Sequence, residues 1–402
     1  MTGEPGAEPA RARCLDLTRL VSRVGRGPWT GVDRVEAAYV RELLTRSDPL
    51  YGLVRTSMGF VLLERAGVQA LWDRLTGATG WGAPDLLSRL FLRSSDARRA
   101  AESDLRRLSL ARAGRGGLQA MLKRHLPPAT TWLNVGHSNL QRHVFEAFHA
   151  AGARTSVLVH DVIPLDLPAF QRPGTVEDFR ARMRRVSALA DLVIYNSGQS
   201  RADAERYFAS WGRVPDGIVS HLGITPPRPT TAPVSPDRPY FVTLGTIEPR
   251  KNHALLLAVW DRLAQDMEVS PELVIIGSRG WNNDAVFARL DEKPAHVTEL
   301  NGLDDGQVAA LVRDARALLF PSFAEGFGLP PAEALALGTP AVVNDLPVYR
   351  EILGNMAIYA DARDMYSWTK IITGLATGSE ARQEAAELPT WQDHFNLVLK
   401  VT

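Results

Sequence analysis

A chain of 402 residues is long for one hydrophobic core, and at about 150 residues per domain it predicts two. Hydrophobic residues at 45% and charged residues at 23% exclude disordered and fibrous classes, and a net charge of +1 gives no global field that would argue for nucleic acid. The single cysteine, Cys14, excludes an intramolecular disulfide and a cysteine-based zinc site, and it fits a reducing compartment.

Residues 1–10, MTGEPGAEPA, carry two acids and no apolar run, which is unlike a secretory leader and reads as a disordered tail. Short runs of Val, Ile and Leu then alternate with longer amphipathic stretches. That pattern predicts buried parallel strands joined by helices, an α/β fold. Strands are expected near 13–18, 131–135, 155–160 and 191–196, with a helix near 31–46 after the loop GRGPWTG. Residues 47–130 read as mostly helical without one clean period. Within them, 89–124 hold ten Lys or Arg against Asp96, Glu102 and Asp104, which suits either anionic lipid or a solvated helix face.

Residues 226–239 hold six prolines and few large apolar groups, the composition of an extended linker. A second series follows: strand 240–245, helix 252–266, strand 272–277, strand 297–301, helix 305–314, strand 317–322, helix 330–337 and strand 341–344. The segment LPTWQDHFNLVLKVT predicts a last helix with Trp391, Phe395 and Leu399 at four-residue spacing. The expected division is a tail (1–10), a first domain (11–225), a linker (226–239), a second domain (240–378) and a C-terminal helix (379–402). No apolar stretch approaches the roughly 18 to 20 residues needed to span a bilayer, so the expectation is a cytoplasmic protein, at most resting on the inner membrane face.

Chemistry concentrates in FPSFAEGFGLPPAEALALGTP. A strand ends just before it and a helix opens at Pro330 or Pro331, since proline suits a first helical turn. Gly326, Phe327, Gly328 and Leu329 then form a loop at a helix N-terminus, a setting that attracts a diphosphate. Glu325 and Glu333 flank it, and carboxylates suit vicinal diols. Taken alone, the two acids read as a helix cap and a solvated helical residue. GTIEPRKN places Arg250 and Lys251 at a helix start, where cations are mildly unfavourable and so need a reason. LVHDVIPLD places His160 and Asp161 at the carboxyl end of a strand, where such sheets bind ligands, and LNVGHSN does the same for His137. Asp304 and Asp305 open a helix, where acids complement the dipole, and no metal-ligand spacing appears elsewhere.

These segments, with LVIIGSRGW and the stretch to about 355, resemble glycosyltransferase family 4, whose signature is two glutamates separated by seven residues. The resemblance implies a GT-B architecture of two doubly wound Rossmann-like domains facing across a cleft. The first would take the acceptor and the second the nucleotide sugar, with the last helix packing back towards the first. It implies transfer with retention, in which His160, Arg250, Lys251 and Glu325 are the catalytic group. Gly31, Thr246, Phe327, Gly328, Leu329 and Glu333 would line the donor, and Asp33, Arg34, His137 and Asp161 would face the acceptor. Thr246 stands where many members carry Arg, which leaves Arg250 to supply a second charge. No metal and no cofactor are expected. GDP-mannose is favoured over UDP- and dTDP-sugars as donor, with a glycan or lipid-linked oligosaccharide as acceptor, as in bacterial mannosyltransferases of surface polysaccharides. The alternatives are a degenerate GT-B protein that binds without catalysis and another GT-B enzyme, such as an epimerase or a phosphorylase.

Overall fold

The computed structural model describes residues 11–88, 95–378 and 388–402. The expected tail, part of the basic segment (89–94) and the start of the expected C-terminal segment (379–387) lie outside the described residues. Eight strands form the first sheet: β1 (Ala12–Asp16), β2 (Leu50–Thr56), β3 (Gly59–Glu64), β4 (Ala111–Ala113), β5 (Thr130–Asn134), β6 (Arg154–Val159), β7 (Leu192–Tyr195) and β8 (Asp216–Val219). Their order is β4-β3-β2-β1-β5-β6-β7-β8, parallel from β2 through β8. The second sheet holds β9 (Tyr240–Leu244), β10 (Glu272–Ile276), β11 (Val297–Leu300), β12 (Leu318–Phe320), β13 (Ala341–Val343) and β14 (Ile358–Tyr359), all parallel, in the order β11-β10-β9-β12-β13-β14.

Burial explains why the strand runs are continuous rather than alternating. Leu318, Leu319 and Phe320 are all buried, as are Leu133, Val157, Leu158 and Val159, because helices cover both faces of each sheet. Order reverses at β1, which lies between β2 and β5, and at β9, which lies between β10 and β12. Ligand crevices in open α/β sheets lie outside the strand ends at such points.

The reading of 47–130 as mostly helical is corrected. Three helices do lie there, Arg65–Leu75, Asp96–Arg107 and Leu118–His125, but so do β2, β3 and β4, and β3 pairs antiparallel with both neighbours. The turn at Ser57 and Met58 closes with Gly59 at φ +122°, where a Cβ would strike the Ala113 carbonyl. The apolar runs LYGLV and FVLLE have no two-residue alternation because both strands are covered on two sides, which hid the hairpin.

After the second sheet the chain returns to the first. Helix Trp391–Val401 sets the Phe395 ring edge-on to Tyr39 at 5.0 Å, and His394 bridges the Tyr39 hydroxyl (2.8 Å) and Ser220 Oγ (2.9 Å). Arg13 in β1 donates to the carbonyls of Leu399 (2.9 Å) and Thr402 (2.8 Å). Phe395 is buried, so Phe395→Ala is expected to cost roughly 3–5 kcal/mol of first-domain stability, measured by denaturant unfolding. Among the described residues no helix is long and apolar enough to cross a membrane.

Candidate active site

The loop after β12 carries Glu325, and helix Leu329–Ala336 follows with Gly328 as its N-cap at φ +90°. A Cβ on Gly328 would run into the Tyr349 ring, so this position needs glycine for conformation and for space. The helix starts one residue earlier than expected, with Pro330 and Pro331 in its first turn. Because proline has no N–H, the anion-facing amides narrow to those of Gly328 and Leu329.

Glu325 is the hub of a charge cluster. Its Oε1 lies 2.6 Å from Lys251 Nζ and 2.6 Å from Arg250 Nη1. Arg250 also grips Glu248 at 2.6 Å and the Ala324 carbonyl at 2.8 Å, while the Phe323 amide donates to the Arg250 carbonyl. Lys251 Nζ sits 4.3 Å over the Phe320 ring. Two loops distant in sequence are thereby bolted into one unit at the carboxyl ends of β9 and β12. Burial pushes the Glu325 carboxyl up, but Arg250 and Lys251 together outweigh it and hold the group below its ordinary value. Burial pulls Lys251 down further than Glu325 can raise it. The cluster thus holds two cations in fixed positions against two carboxylates, a preorganised arrangement for an arriving anion.

Across the cleft, His160 follows β6. Its Nε2 donates to the Val135 carbonyl at 2.7 Å, which leaves Nδ1 as an acceptor. Burial holds the imidazole at about 4, against the raising effect of that carbonyl. His160 is therefore neutral at physiological pH, and no activity limb between about pH 6 and 8 is expected from it. A break near pH 6.5 that disappears in His160→Asn would contradict this. The His160 carbonyl accepts from Asn196 Nδ2, the Gly326 carbonyl accepts from Ser197 Oγ at 3.1 Å, and the one hydroxyl proton of Ser200 lies between the two carbonyls, 3.1 Å from the first and 3.0 Å from the second. A Cβ on Gly326 would overlap the His160 carbonyl oxygen. The domains meet there without clearance.

Two further contacts join the domains. Glu351 accepts from the Gly198 and Gln199 amides (2.6 and 3.2 Å) and from His221 Nε2 (2.8 Å), so an acid of the second domain caps helix Gly198–Ser210 of the first. Trp281 Nε1 donates to the Phe170 carbonyl at 2.8 Å, with the Arg172 guanidinium 4.5 Å over its ring.

At the other end of the cleft, helix Gly31–Thr45 brings Arg34 against Glu333 in a two-pronged ion pair of 2.8 and 3.2 Å. Burial raises the Glu333 carboxyl, with Arg34 opposing. Gly31 faces Leu329. A cavity of about 30 Å³ lies here between Arg34, Leu244, Asp305, Pro330 and Glu333. Arg34, expected to face the acceptor, stands at the Glu333 carboxylate.

Several expectations change at this level. Asp33 is buried as a capping carboxylate, accepting from Thr30 N and Oγ1 and from Arg19 Nε, so its oxygens are spent inside the fold and it cannot serve as an acceptor contact. Asp161 accepts from the Ile163 amide; burial raises its carboxyl and Arg250 opposes this, which places it with the Glu325 cluster. The Phe327 ring is buried near His221, leaving only its backbone for a ligand. Thr246 is exposed beside Ile247, which pairs with Arg279. His137, at φ +57°, lies 5.1 Å from the His160 ring and bonds the Leu158 carbonyl; burial and then His160 keep it well below its ordinary value.

Sequence reasoning missed Glu248, Ser200, Glu351 and a buried pair, Asp16 and Glu36. Asp16 accepts from Asn139 and is pushed up to about 6 by burial, while Glu36 accepts from the Leu20 amide and is pushed up by burial and then by Asp16. They fasten the loop after β5 to the end of β1. Single acids at a strand end and in mid-helix carry no spacing signal. Among the described residues no three His, Cys, Asp or Glu side chains converge as metal ligands would.

A family model described as glycosyl transferases group 1 matches residues 231–387. That stretch is similar to group 1 glycosyl transferases. It contains Arg250, Lys251, Glu325, Glu333 and Glu351. The chain is 29% identical over 282 residues to the serotype-specific mannosyltransferase WbdA of Escherichia coli, covering 63% of this chain and 34% of that protein. It is 34% identical over 144 residues to the O-antigen chain mannosyltransferase RfbU of Salmonella typhimurium, covering 34% and 38%. The chain thus spans about a third of the length of the curated relatives it matches. The fold is shared with HepE of Anabaena, solved with UDP and glucose (TM-score 0.59, 12% identity, 97% and 94% coverage). It is shared also with WaaG, a glycosyltransferase of lipopolysaccharide biosynthesis (TM-score 0.57, 13% identity, 91% of each chain). The fold is thus that of GT-B glycosyltransferases, and the expected α/β class holds.

Proposed function

We propose that this protein is a retaining glycosyltransferase that moves a hexose, mannose first, from a nucleotide diphosphate sugar to a glycan or lipid-linked oligosaccharide in surface polysaccharide synthesis. The observation that carries the reading is Glu325 held by Lys251 and Arg250 on one side of helix Leu329–Ala336, with Glu333 in the same helix on the other. In this reading the donor diphosphate lies between the two cations and the Gly328 and Leu329 amides. Glu325 and His160 Nδ1 take hexose hydroxyls, Glu333 takes the ribose diol once Arg34 yields it, and Gly31 and Thr246 border the phosphates. The bond from the anomeric carbon to the diphosphate breaks, and the acceptor oxygen bonds the same face. The acceptor's proton passes to the departing phosphate oxygen. Glu325 is tied to two cations, which suits positioning rather than nucleophilic attack. Stabilising the leaving charge is then the main catalytic contribution of Lys251 and Arg250.

The relatives named as mannosyltransferases support mannose as the sugar; GDP-mannose is the proposed donor, and UDP- and dTDP-sugars complete the screen. Purified protein is expected to shift its melting temperature most with GDP-mannose and to transfer the sugar without loss of rate in chelator. Binding without turnover would favour the degenerate alternative, isomerised free sugar nucleotide would favour an epimerase, and a large loss in chelator would overturn metal independence. A cytoplasmic site of action belongs to the same proposal, with membrane contact confined to 111–124. There Arg112, Arg115, Lys123 and Arg124 are exposed, whereas Arg98, Arg106 and Arg107 are paired with Glu102, Asp85 and Asp104.

A further inference from the structure

Helix Pro347–Leu353 sends Glu351 outward to the first domain and Tyr349 inward to the loop after β12. The Tyr349 ring packs on Gly328, where a Cβ would run into it, and stands edge-on at 6.5 Å to Phe320, the ring over which Lys251 Nζ sits. Ser322 lies between Phe320 and Glu325 in sequence, its carbonyl fixed by Asn344 Nδ2 at 2.9 Å. Tyr349 and Ser322 are both fully buried, and among the described residues neither side-chain hydroxyl has a hydrogen-bond partner. Buried hydroxyls left open cost stability, and such groups in a folded protein call for a reason.

Their setting supplies one. Lys251 and Arg250 both meet Glu325 at Oε1, so Oε2 is open to other donors. Ser322 is the hydrogen-bonding neighbour of Glu325 and of Tyr349, although neither contact closes to a full hydrogen bond. Burial raises the Tyr349 phenol well above its ordinary value and the Glu325 charge adds to this, with Arg250 and Ser322 opposing. Asp161 and Glu248 share Arg250 with Glu325, and ionised acids offer it no donor. An arriving diphosphate competes with Glu325 for the same two cations. A buried carboxylate that loses its cations takes up a proton or swings away unless other donors hold it.

We propose that Ser322 and Tyr349 hold Glu325 in the donor complex: the Ser322 hydroxyl closes onto the carboxylate, and the Tyr349 hydroxyl onto Ser322 Oγ, when the diphosphate draws Lys251 and Arg250 towards itself. Both are positioning residues, because they act on the donor sugar through Glu325. The inference rests on the glycosyltransferase reading and adds to it how the carboxylate stays ionised and in place while the cations serve the leaving group.

Tyr349→Phe and Ser322→Ala each remove one buried oxygen and keep the surrounding packing. Since the hydroxyls are open in the ligand-free protein, both variants are expected to melt at or above the parental temperature. In each, kcat with the nucleotide sugar is expected to fall about tenfold while donor KM stays within about twofold of the parent. Titration of GDP, or of UDP if the donor screen selects it, in buffers of different ionisation enthalpy at mildly acidic pH reads the proton balance without turnover. Ser322→Ala is expected to take up more protons on binding than the parent, and Glu325→Gln in that background to abolish the excess. Parental kcat in both variants, proton uptake unchanged in Ser322→Ala, or a lowered melting temperature in both overturns the inference, and sugar transfer by the parent then leaves the glycosyltransferase reading standing. A parent that neither binds a nucleoside diphosphate nor transfers sugar overturns that reading and this inference with it.

Discussion

Replacing Lys251 with alanine is expected to lower turnover by about a hundredfold or more while changing donor affinity far less. The reason lies in where its charge is needed. In the resting cluster Lys251 shares Glu325 with Arg250, and the Phe320 ring fixes its ammonium from below. Donor binding still finds Arg250 and the Gly328 and Leu329 amides, so ground-state affinity survives in large part. When the glycosidic bond breaks, negative charge on the leaving diphosphate grows, and the ammonium stabilises that growth more than it stabilises the bound donor. Lys251→Met is the companion variant, because it fills the volume over Phe320 without the charge and separates packing from electrostatics. Single-turnover rates alongside donor titration make the measurement. Turnover within twofold of the parent in both variants would remove Lys251 from the mechanism.

The second large effect is expected from Gly326→Val. A Cβ at this position overlaps the His160 carbonyl oxygen and crowds Asp161, and a backbone oxygen held by Asn196 and Ser200 has no room to yield. The added side chain must push the domains apart at the point where the Glu325 loop meets His160. A displacement of about 1 Å at reacting groups is enough to cost about a hundredfold, and turnover is expected to fall at least that far. The core around Trp132 and Phe148 belongs to the first sheet alone and that around Phe241 and Trp260 to the second, so cooperative unfolding should persist while small-angle scattering records a larger radius of gyration. Full activity with an unchanged radius would show that the contact at Gly326 is not needed for catalysis.

How far the site could be read beforehand depends on whether its residues announce themselves locally. Glu325, Arg250 and Lys251 lie in segments with glycine and proline punctuation that follow the buried strands β12 and β9, and Glu333 lies in the helix that the Gly328-Leu329-Pro330 sequence opens. His160 was legible for the same reason. What could not be read is anything made by two distant segments meeting. The resemblance sets Arg34 towards the acceptor, and helix Gly31–Thr45 delivers it to the Glu333 carboxylate, a pairing of residues 299 apart that no local pattern announces. Asp33 is held at Oδ2 by the capping box with Thr30, a local signal within three residues, but at Oδ1 by Arg19, a contact with no local signal. The hairpin of β2 and β3 was lost because double-sided burial removes the alternation that marks strands.

Glu351 has a consequence beyond holding two domains together. Helix Gly198–Ser210 begins with amides that its own chain segment does not satisfy, and the carboxylate that satisfies them belongs to the other domain. Opening the cleft takes the carboxylate from those two amides and hands them to water, while the Ser197 hydroxyl still caps the Ser200 amide from within the first domain. The same turn carries Ser197 and Ser200, which position Gly326 and His160. Domain closure and the capping of this helix are therefore coupled in this molecule: the arrangement that sets Glu351 on the Gly198 and Gln199 amides also sets the Gly326 carbonyl on Ser197 and Ser200.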